Sequence, residues 1–355
     1  MKWLFNLIEQ PFHFRKTLSS ELETNFYIRF NKIELNMHSP FCVGIDIGGT
    51  NTAFAFVDQK GAILHKDVVP TGSSSNPSDL INRVCDKIHD AIKSKSSFEK
   101  LKGIGIGAPN GNFFNGTIEF APNLNWFGII PVAKMFSEQF KNIPAYLTND
   151  ANAAALGEMY FGGAKKIKDF IFITLGTGLG SGIVVDGKLV YGHDGFAGEI
   201  GHTIVIQNGR QCGCGRKGCL EQYCSATGLV KTYLEILLTS DAYKKTDLDH
   251  SAIDAKFIFD RALVGEEMAI NAFDYTGEIL GFALANSVAY TSPKAIFLFG
   301  GLANSGELLI KPTVKSFQKN LLNIYKNKVE IYTSSLPEND AALLGAASLA
   351  WNEIN

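Results

Sequence analysis

The sequence predicts a mixed α/β protein whose two similar halves face each other across a cleft. Three observations carry this reading. A strand, a glycine turn and a hairpin follow one another from Phe41 and do so again from Phe170. Apolar strands alternate with helix-spaced segments in both halves, the pattern of helices layered on sheets. A loop at 199–221 gathers Cys212, Cys214 and Cys219 among glycines, which marks a metal-shaped insertion in the second half.

The elements follow in order. FCVGIDI at 41–47 is a compact apolar strand that ends in Gly48-Gly49-Thr50. Strands at 52–57 and 63–69 are joined by a turn at 58–61. Leu80, Ile81, Val84, Ile88 and Ile92 recur at helical spacing after Pro77 and Ser78, so a helix covers them. A strand at 103–107 is followed by a helix at 132–140. A short strand at 145–148 then runs into an alanine-rich helix at 151–161. In the second half, FIFITL at 170–175 ends in Gly176-Thr177-Gly178-Leu179-Gly180, and strands at 182–185 and 188–190 meet at Asp186-Gly187. A long apolar helix at 269–290 precedes a buried strand at 295–299 that ends in Gly300-Gly301. A strand at 329–333 and a helix at 341–351 close the chain.

Composition narrows the functional classes. A chain of 355 residues can build two domains, each with a sizeable core. Hydrophobic content of 46% and charged content of 19% describe an ordinary globular protein. The net charge of -2 gives no electrostatic reason to expect nucleic acid or a membrane as partner. No apolar run approaches the roughly 18–20 residues that span a bilayer. Six cysteines with half of them in one cluster do not form a disulfide framework, so a reducing cytoplasm is expected.

The first 36 residues start like a signal peptide, but Asn6 and Glu9 break the apolar run and no small-residue cleavage site follows. They form either an added helical decoration or a stretch ahead of a true start at Met37. The expected division is an extension at 1–40, a first domain at 41–148 joined by the closing helix at 340–355, and a second domain at 149–339.

Three thiols and one imidazole are the ligand set of a closed tetrahedral zinc site. Cys212, Cys214, Cys219 and His202 are the expected ligands, and the glycines between them let a short loop wrap one ion. A redox pair or a chance cluster is the bland alternative. Cys224 is a rival fourth ligand, although it reads more simply as a small buried residue. Glu199 and Glu221 bracket the cluster, so the metal would shape an acid-rich loop.

A glycine turn at a strand end can aim successive N–H groups at a phosphate. One such turn is often merely structural. Two in duplicated positions, Gly48-Gly49-Thr50 and Gly176-Thr177-Gly178, suggest a grip on a polyphosphate from both sides. No G-x-x-x-x-G-K-[ST] is present, so this is not a P-loop. Asp46 is placed to face magnesium, or else caps the turn. Asp150 stands at a strand-to-helix junction as either a helix N-cap or a general base for phosphoryl transfer.

DIGGT at 46–50, APNL at 121–124, NDAN at 149–152, LGTGLG at 175–180, EIGH at 199–202 and CGCGRKGCLE at 212–221 together resemble the ROK family of sugar kinases and repressors, within the actin/hexokinase-like superfamily. The resemblance runs from about Cys42 to the C-terminus. It implies two duplicated RNase H-like domains, ATP and magnesium as phosphoryl donor and cofactor, a structural zinc, and a homodimer. It places ATP phosphates at Asp46, Gly48, Gly49, Thr50, Asn51, Gly176, Thr177 and Gly178, with Gly300 and Gly301 near the adenosine. Asp150 becomes the catalytic base. Asn123, Asn149, Asp150, Glu199, His202 and Glu221 would hold the sugar, with His202 also turned to zinc. Asn51 stands where many members carry lysine, and Asn110 where the pattern often has glycine.

The activity so implied is ATP-dependent phosphorylation of a hexose, glucose first. N-acetylmannosamine or N-acetylglucosamine are the competing acceptors. A sugar-responsive repressor is the reading of another class; it would need a helix-turn-helix ahead of the first strand, and no such pattern stands there.

Overall fold

The computed structural model describes residues 39–239 and 252–354, all within the unit spanning His38–Asn355. The alternatives for residues 1–36 lie outside the described residues. The first half forms strands β1 (Phe41–Ile47), β2 (Asn51–Asp58) and β3 (Ile63–Pro70), then helix α1 (Pro77–Lys95) and strand β4 (Leu101–Ala108). Short strands β5 (Gly111–Asn112), β6 (Thr117–Glu119) and β7 (Ile129–Ile130) precede helix α2 (Val132–Gln139), strand β8 (Ala145–Asn149) and helix α3 (Asp150–Phe161). The second half holds β9 (Phe170–Leu175), β10 (Leu179–Val185) and β11 (Lys188–Leu189), followed by helices α4 (Ala226–Thr239), α5 (Ala255–Leu263) and α6 (Glu267–Thr291). Strand β12 (Ala295–Phe299), helix α7 (Glu307–Asn320), strand β13 (Glu330–Thr333) and helix α8 (Glu338–Ile354) complete it.

The duplication read from the sequence is present in the sheets. One has the order β3-β2-β1-β4-β8 and the other β11-β10-β9-β12-β13. In each, the opening strand pairs antiparallel with its hairpin partner and parallel with the next strand, as β1 does with β2 and β4 and β9 with β10 and β12. Parallel strands that are buried on both faces should read as continuous apolar runs, and FCVGIDI and FIFITL do.

Helix α3 lies between the sheets. Ala153 meets Gly107 of β4, while Ala151 and Ala155 meet Gly180 and Gly182 of β10. Residues Ala151–Glu158 are buried without a polar stripe, because neighbours cover the helix on more than one side. That explains its alanine-rich sequence: small side chains let two sheets approach one helix. Helix α8 then returns to the first sheet, where Leu343, Leu344 and Ala347 pack with Ala55 and Val57 of β2.

Sequence reading missed the small β5-β6-β7 sheet and helices α4, α5 and α7. The small sheet has strands of two or three residues, too short for any periodicity to show. It is tied to the second half where the Phe113 and Tyr191 rings stack at 4.3 Å. The Asn112 amide also donates to the Asp194 carbonyl at 2.9 Å.

Gly44 and Gly105 let α8 rest directly on β1 and β4. A Cβ at Gly105 would stand 1.7 Å from the Ala346 carbonyl oxygen, so backbone rather than a side-chain tip would have to move. Gly105→Ala should therefore lower the thermal midpoint substantially, in line with overpacking costs of about 1–3 kcal/mol or more. Gly301→Ala, where no atom lies within 4 Å of an added Cβ, should leave the midpoint unchanged. Equal melting of the two variants by circular dichroism would contradict this packing.

Candidate active site

The residues singled out in the sequence collect at the carboxyl ends of parallel strands. Gly48 follows β1, Asn110 follows β4, Asp150 follows β8, Gly176 follows β9 and Gly300 follows β12. Open α/β sheets bind ligands at that end, because there the chain leaves the sheet in loops and helix N-termini.

The two glycine turns are built alike but leave different N–H groups free than their glycine count suggests. The Gly48 N–H closes the first turn onto the Asn51 carbonyl at 3.0 Å, and the Gly176 N–H closes the second onto Gly178 at 3.1 Å. Those two donors are spent within the turns. Among the described residues, the N–H groups of Gly49, Thr50 and Thr177 have no such internal partner. Each turn is held from outside by a hydroxyl-bearing segment. Thr71 donates its hydroxyl to the Gly48 carbonyl and its N–H to the Thr50 carbonyl. Thr227 donates to the Thr177 carbonyl and the Ala226 N–H to Gly176. The Asn123 backbone lies against Gly49, and Gly300, in left-handed backbone at φ 102, lies against Leu175 at the root of the second turn.

Asn149, not Asp150, caps α3. Its side-chain oxygen accepts from the N–H groups of Ala151 at 2.8 Å and Asn152 at 3.3 Å. Asp150 is thereby released from the capping role its position suggested, although one carboxylate oxygen accepts from Ala151 at 2.7 Å. Its carboxylate reaches the solvent of the cleft while protein crowds around it. Desolvation raises its proton affinity above the ordinary carboxylate value, and the Ala151 N–H pulls the other way. Asp46 is pushed up to about 7, first by burial and then by the charge of Asp150. Glu199 is raised by burial; His202 opposes this, while Asp150 and Glu221 reinforce it. Four acids thus share one neighbourhood, and among the described residues no lysine or arginine forms an ion pair with any of them.

Glu199 is carried by a segment fitted to β10. The Ser181 hydroxyl donates to the Gly198 carbonyl and accepts from the Ile200 N–H. Gly201 lies so close to Leu179 that a Cβ would be 2.2 Å from its carbonyl oxygen. Glu199 and His202 line a cavity of about 400 Å³ together with Asn110, Phe120, Phe196 and Arg216. Glu221 is placed differently. One of its oxygens accepts from the Leu179 N–H at 3.2 Å, directly behind the second glycine turn, and the other approaches the Cys212 sulfur at 3.9 Å.

The ligating atoms of His202, Cys212, Cys214 and Cys219 all lie within 4.8 Å of one another. His202 Nδ1 is 3.6 Å from the Cys212 sulfur, and the Cys214 and Cys219 sulfurs are 3.6 Å apart. Ligands at about 2.0–2.3 Å from a tetrahedral ion are separated by roughly 3.3–3.8 Å, so the set fits zinc. Cys224 is elsewhere, buried and donating to the Thr276 carbonyl at 3.4 Å. Sequence reading missed what carries this loop. Arg210 pairs through two nitrogens with Glu235 at 2.8 and 2.7 Å, donates to the Gln222 carbonyl, and lies over the Tyr223 ring. A lone arginine among loop residues gives no sequence signal for such a role.

Comparison with known proteins shows the family. A sequence model of the ROK family matches residues 42–353. A glucokinase of Halalkalibacterium halodurans is 35% identical over 327 residues, 90% of this chain and 97% of that protein. A xylose repressor of Bacillus spizizenii is 31% identical over 88% of this chain and 78% of its own. The crystal structure of a ROK family glucokinase from Streptomyces griseus, in complex with glucose and AMPPNP, superposes with a TM-score of 0.74 at 33% identity, covering 88% of this chain and 99% of that one. The chain belongs to the ROK family.

Asp46 gains protons on folding, so its contribution to stability is fully present below the ordinary carboxylate range and is lost as pH rises through about 7. Asp46→Asn should therefore melt higher than the wild type at pH 8, with a smaller margin at pH 5 that closes only toward the ordinary carboxylate range. A difference in midpoint that does not grow with pH would show that the carboxylate is not crowded in this way.

Proposed function

We propose that this ROK-family chain is an ATP-dependent hexose kinase and, more narrowly, a glucokinase. The observation that carries the proposal is Asp150. It is a carboxylate of raised proton affinity, freed from capping, standing between two glycine turns and an acid- and histidine-lined cavity. The likeness to the glucokinases supports glucose as acceptor.

In this reading the hexose sits in the cavity with its ring hydroxyls on Glu199, His202 and Glu221 and on Asn123 and Asn149. Its 6-hydroxyl is directed to Asp150. The Asp150 carboxylate takes the hydroxyl proton as the oxygen attacks the γ-phosphorus, and the bond from that phosphorus to the bridging oxygen of ADP breaks. The backbone donors of Gly49, Thr50 and Thr177 neutralise charge on the phosphate oxygens, with Asn51 beside them, and Gly300 and Gly301 border the nucleoside. Asp46 would hold magnesium, whose charge would offset the crowding of Asp46 with Asp150 and neutralise the transferring phosphate. A zinc ion held by His202, Cys212, Cys214 and Cys219 would fix the loop and leave the Nε2 of His202 for the sugar. All six cysteines are free, which fits a reducing cytoplasm. The homodimer rests on family likeness alone.

ADP release measured with glucose, mannose, allose, fructose, N-acetylglucosamine and N-acetylmannosamine tests the proposal. Glucose should give the highest kcat/KM. An N-acetylhexosamine ahead by tenfold would move the assignment to an amino-sugar kinase, and no turnover with any of them would overturn it. A sugar-responsive repressor would instead retard operator DNA in a sugar-dependent way.

Asp150→Asn should bind glucose with near-unchanged affinity while turnover falls by about 10²–10⁴-fold, the usual contribution of a general base. Retention of more than about a tenth of the rate would remove Asp150 from that role.

Elemental analysis should find about one zinc per chain in the purified protein and in Cys224→Ala, and none in Cys212→Ala. Metal lost from the Cys224 variant and kept when His202 is replaced would overturn the ligand set.

A further inference from the structure

Asn110 stands at the end of β4 in left-handed backbone, φ 51. Its side-chain amide donates to two successive carbonyls, Glu119 at 3.0 Å and Phe120 at 3.2 Å. The Glu119 N–H returns a bond to the Asn110 carbonyl at 3.1 Å, and the Phe120 N–H is taken by the Gly128 carbonyl at 3.0 Å. Phe120 itself is left-handed, φ 50. Asparagine visits that region readily, whereas a bulky aromatic does so only where its surroundings over-determine it. Here four hydrogen bonds do that.

The clamp does not serve the core. Phe120 is 69% exposed, and its ring borders the same cavity as Phe196, Glu199 and His202. A pyranose has a rim of hydroxyls and two faces of C–H bonds. The acids and the imidazole suit the rim, and an aromatic ring suits a face. Phe196 adds a second ring from the segment that leads to Glu199.

We propose that Phe120 is a specificity-determining wall of the hexose pocket, stacking on a C–H face of the sugar, and that Asn110 is the positioning residue that holds it there. The assignment rests on the hexose-kinase reading. A flat aromatic wall favours a hexose whose hydroxyls are all equatorial, as in glucose. An axial hydroxyl on the stacked face lifts the ring away. Mannose and allose carry their axial hydroxyls on opposite faces, so one of them meets Phe120 and the other does not.

The test is steady-state kinetics with glucose, mannose and allose, beside glucose titration of the nucleotide-free protein by intrinsic fluorescence. The enzymes are wild type, Phe120→Ala, Phe120→Tyr, Asn110→Ala and the Asn110→Ala/Phe120→Ala double variant. Phe120→Ala should raise the glucose KM about tenfold or more, with kcat within threefold and the ATP KM unchanged, as for loss of a contact made equally in ground and transition states. Phe120→Tyr should restore the wild-type KM. Preference for glucose over one of the two epimers should fall, and that epimer identifies the stacked face. Asn110→Ala should raise KM severalfold alone and add nothing to Phe120→Ala, because it acts through that ring. The exposed ring makes Phe120→Ala safe for folding, and a wild-type melting curve verifies it. A glucose KM and binding constant for Phe120→Ala within twofold of wild type would overturn the wall. Full additivity in the double variant would overturn the clamp. Absence of hexose turnover by the wild type would sink the kinase reading instead, and would be seen before any variant is compared.

Discussion

The site depends on the close contact between helices α3 and α8. At Gly345 an added Cβ would stand 1.8 Å from the Ala153 carbonyl oxygen, and at Gly157 one would stand 2.9 Å from that of Ala341. With no side chains between them, the two backbones touch. Helix α8 is in turn seated on β1 and β4 through Gly44 and Gly105. The N-terminus of α3, and with it Asp150, is therefore fixed against the first sheet by backbone contact while Ala151 and Ala155 lean on β10 of the second. Small residues give up hydrophobic area, but they make the position of one carboxylate insensitive to side-chain rotamers. Helix α3 thus touches both sheets, so Asp150 stands on a packed helix end rather than on a free loop.

A second constraint joins the two ends of the site. Segment 219–228 leaves the cysteine cluster and at once supports the glycine turn after β9. Glu221 accepts from Leu179, the Ala226 N–H bonds to the Gly176 carbonyl, and Thr227 reaches the Thr177 carbonyl. Upstream, Gly201 lies on Leu179 from the other side. The loop that carries Glu199 and Glu221 is thus also the buttress of the second glycine turn. If an ion closes the four-ligand cluster, its loss would loosen both, so sugar affinity and nucleotide affinity should not be separable by mutations within the cluster.

Much of this was legible in the sequence, for local reasons. Fully buried parallel strands advertise themselves as unbroken apolar runs, and the turns that follow them need glycine. The repeated strand, glycine turn and hairpin were visible too, and the two sheets repeat one order. The Cys-x-Cys-x₄-Cys spacing already picked out three of the four side chains whose donor atoms the structure brings together. What failed to show depends on distant partners. The cap of α3 moved from Asp150 to Asn149 because capping depends on which side-chain oxygen meets the first N–H groups, and two adjacent residues were eligible. Strands β5–β7 are too short to have a period. Asn110 was conspicuous as an asparagine where glycine is common, yet its role appears only when the carbonyls of Glu119 and Phe120 are placed within its reach.

The electrostatics give the strongest argument that this cleft is built for work rather than for stability. Desolvation raises Asp46, Asp150 and Glu199 together, and the charge of Asp150 raises both Asp46 and Glu199. A fold selected for stability alone would replace one of them with an amide or pair it with a lysine or arginine, and among the described residues no such ion pair forms; His202 is the side chain that opposes the rise, at Glu199. Such an arrangement is tolerable when its charge is met by ligands that come and go. Hydroxyl donors suit Glu199 and Glu221, a labile proton suits Asp150, and a divalent ion suits Asp46. The unliganded protein should then hold its destabilising charge in reserve, and substrate binding should both stabilise the fold and draw the site toward its working protonation state. Hexose binding and magnesium–nucleotide binding are expected to reinforce one another, because each relieves repulsion that the other site shares through Asp150.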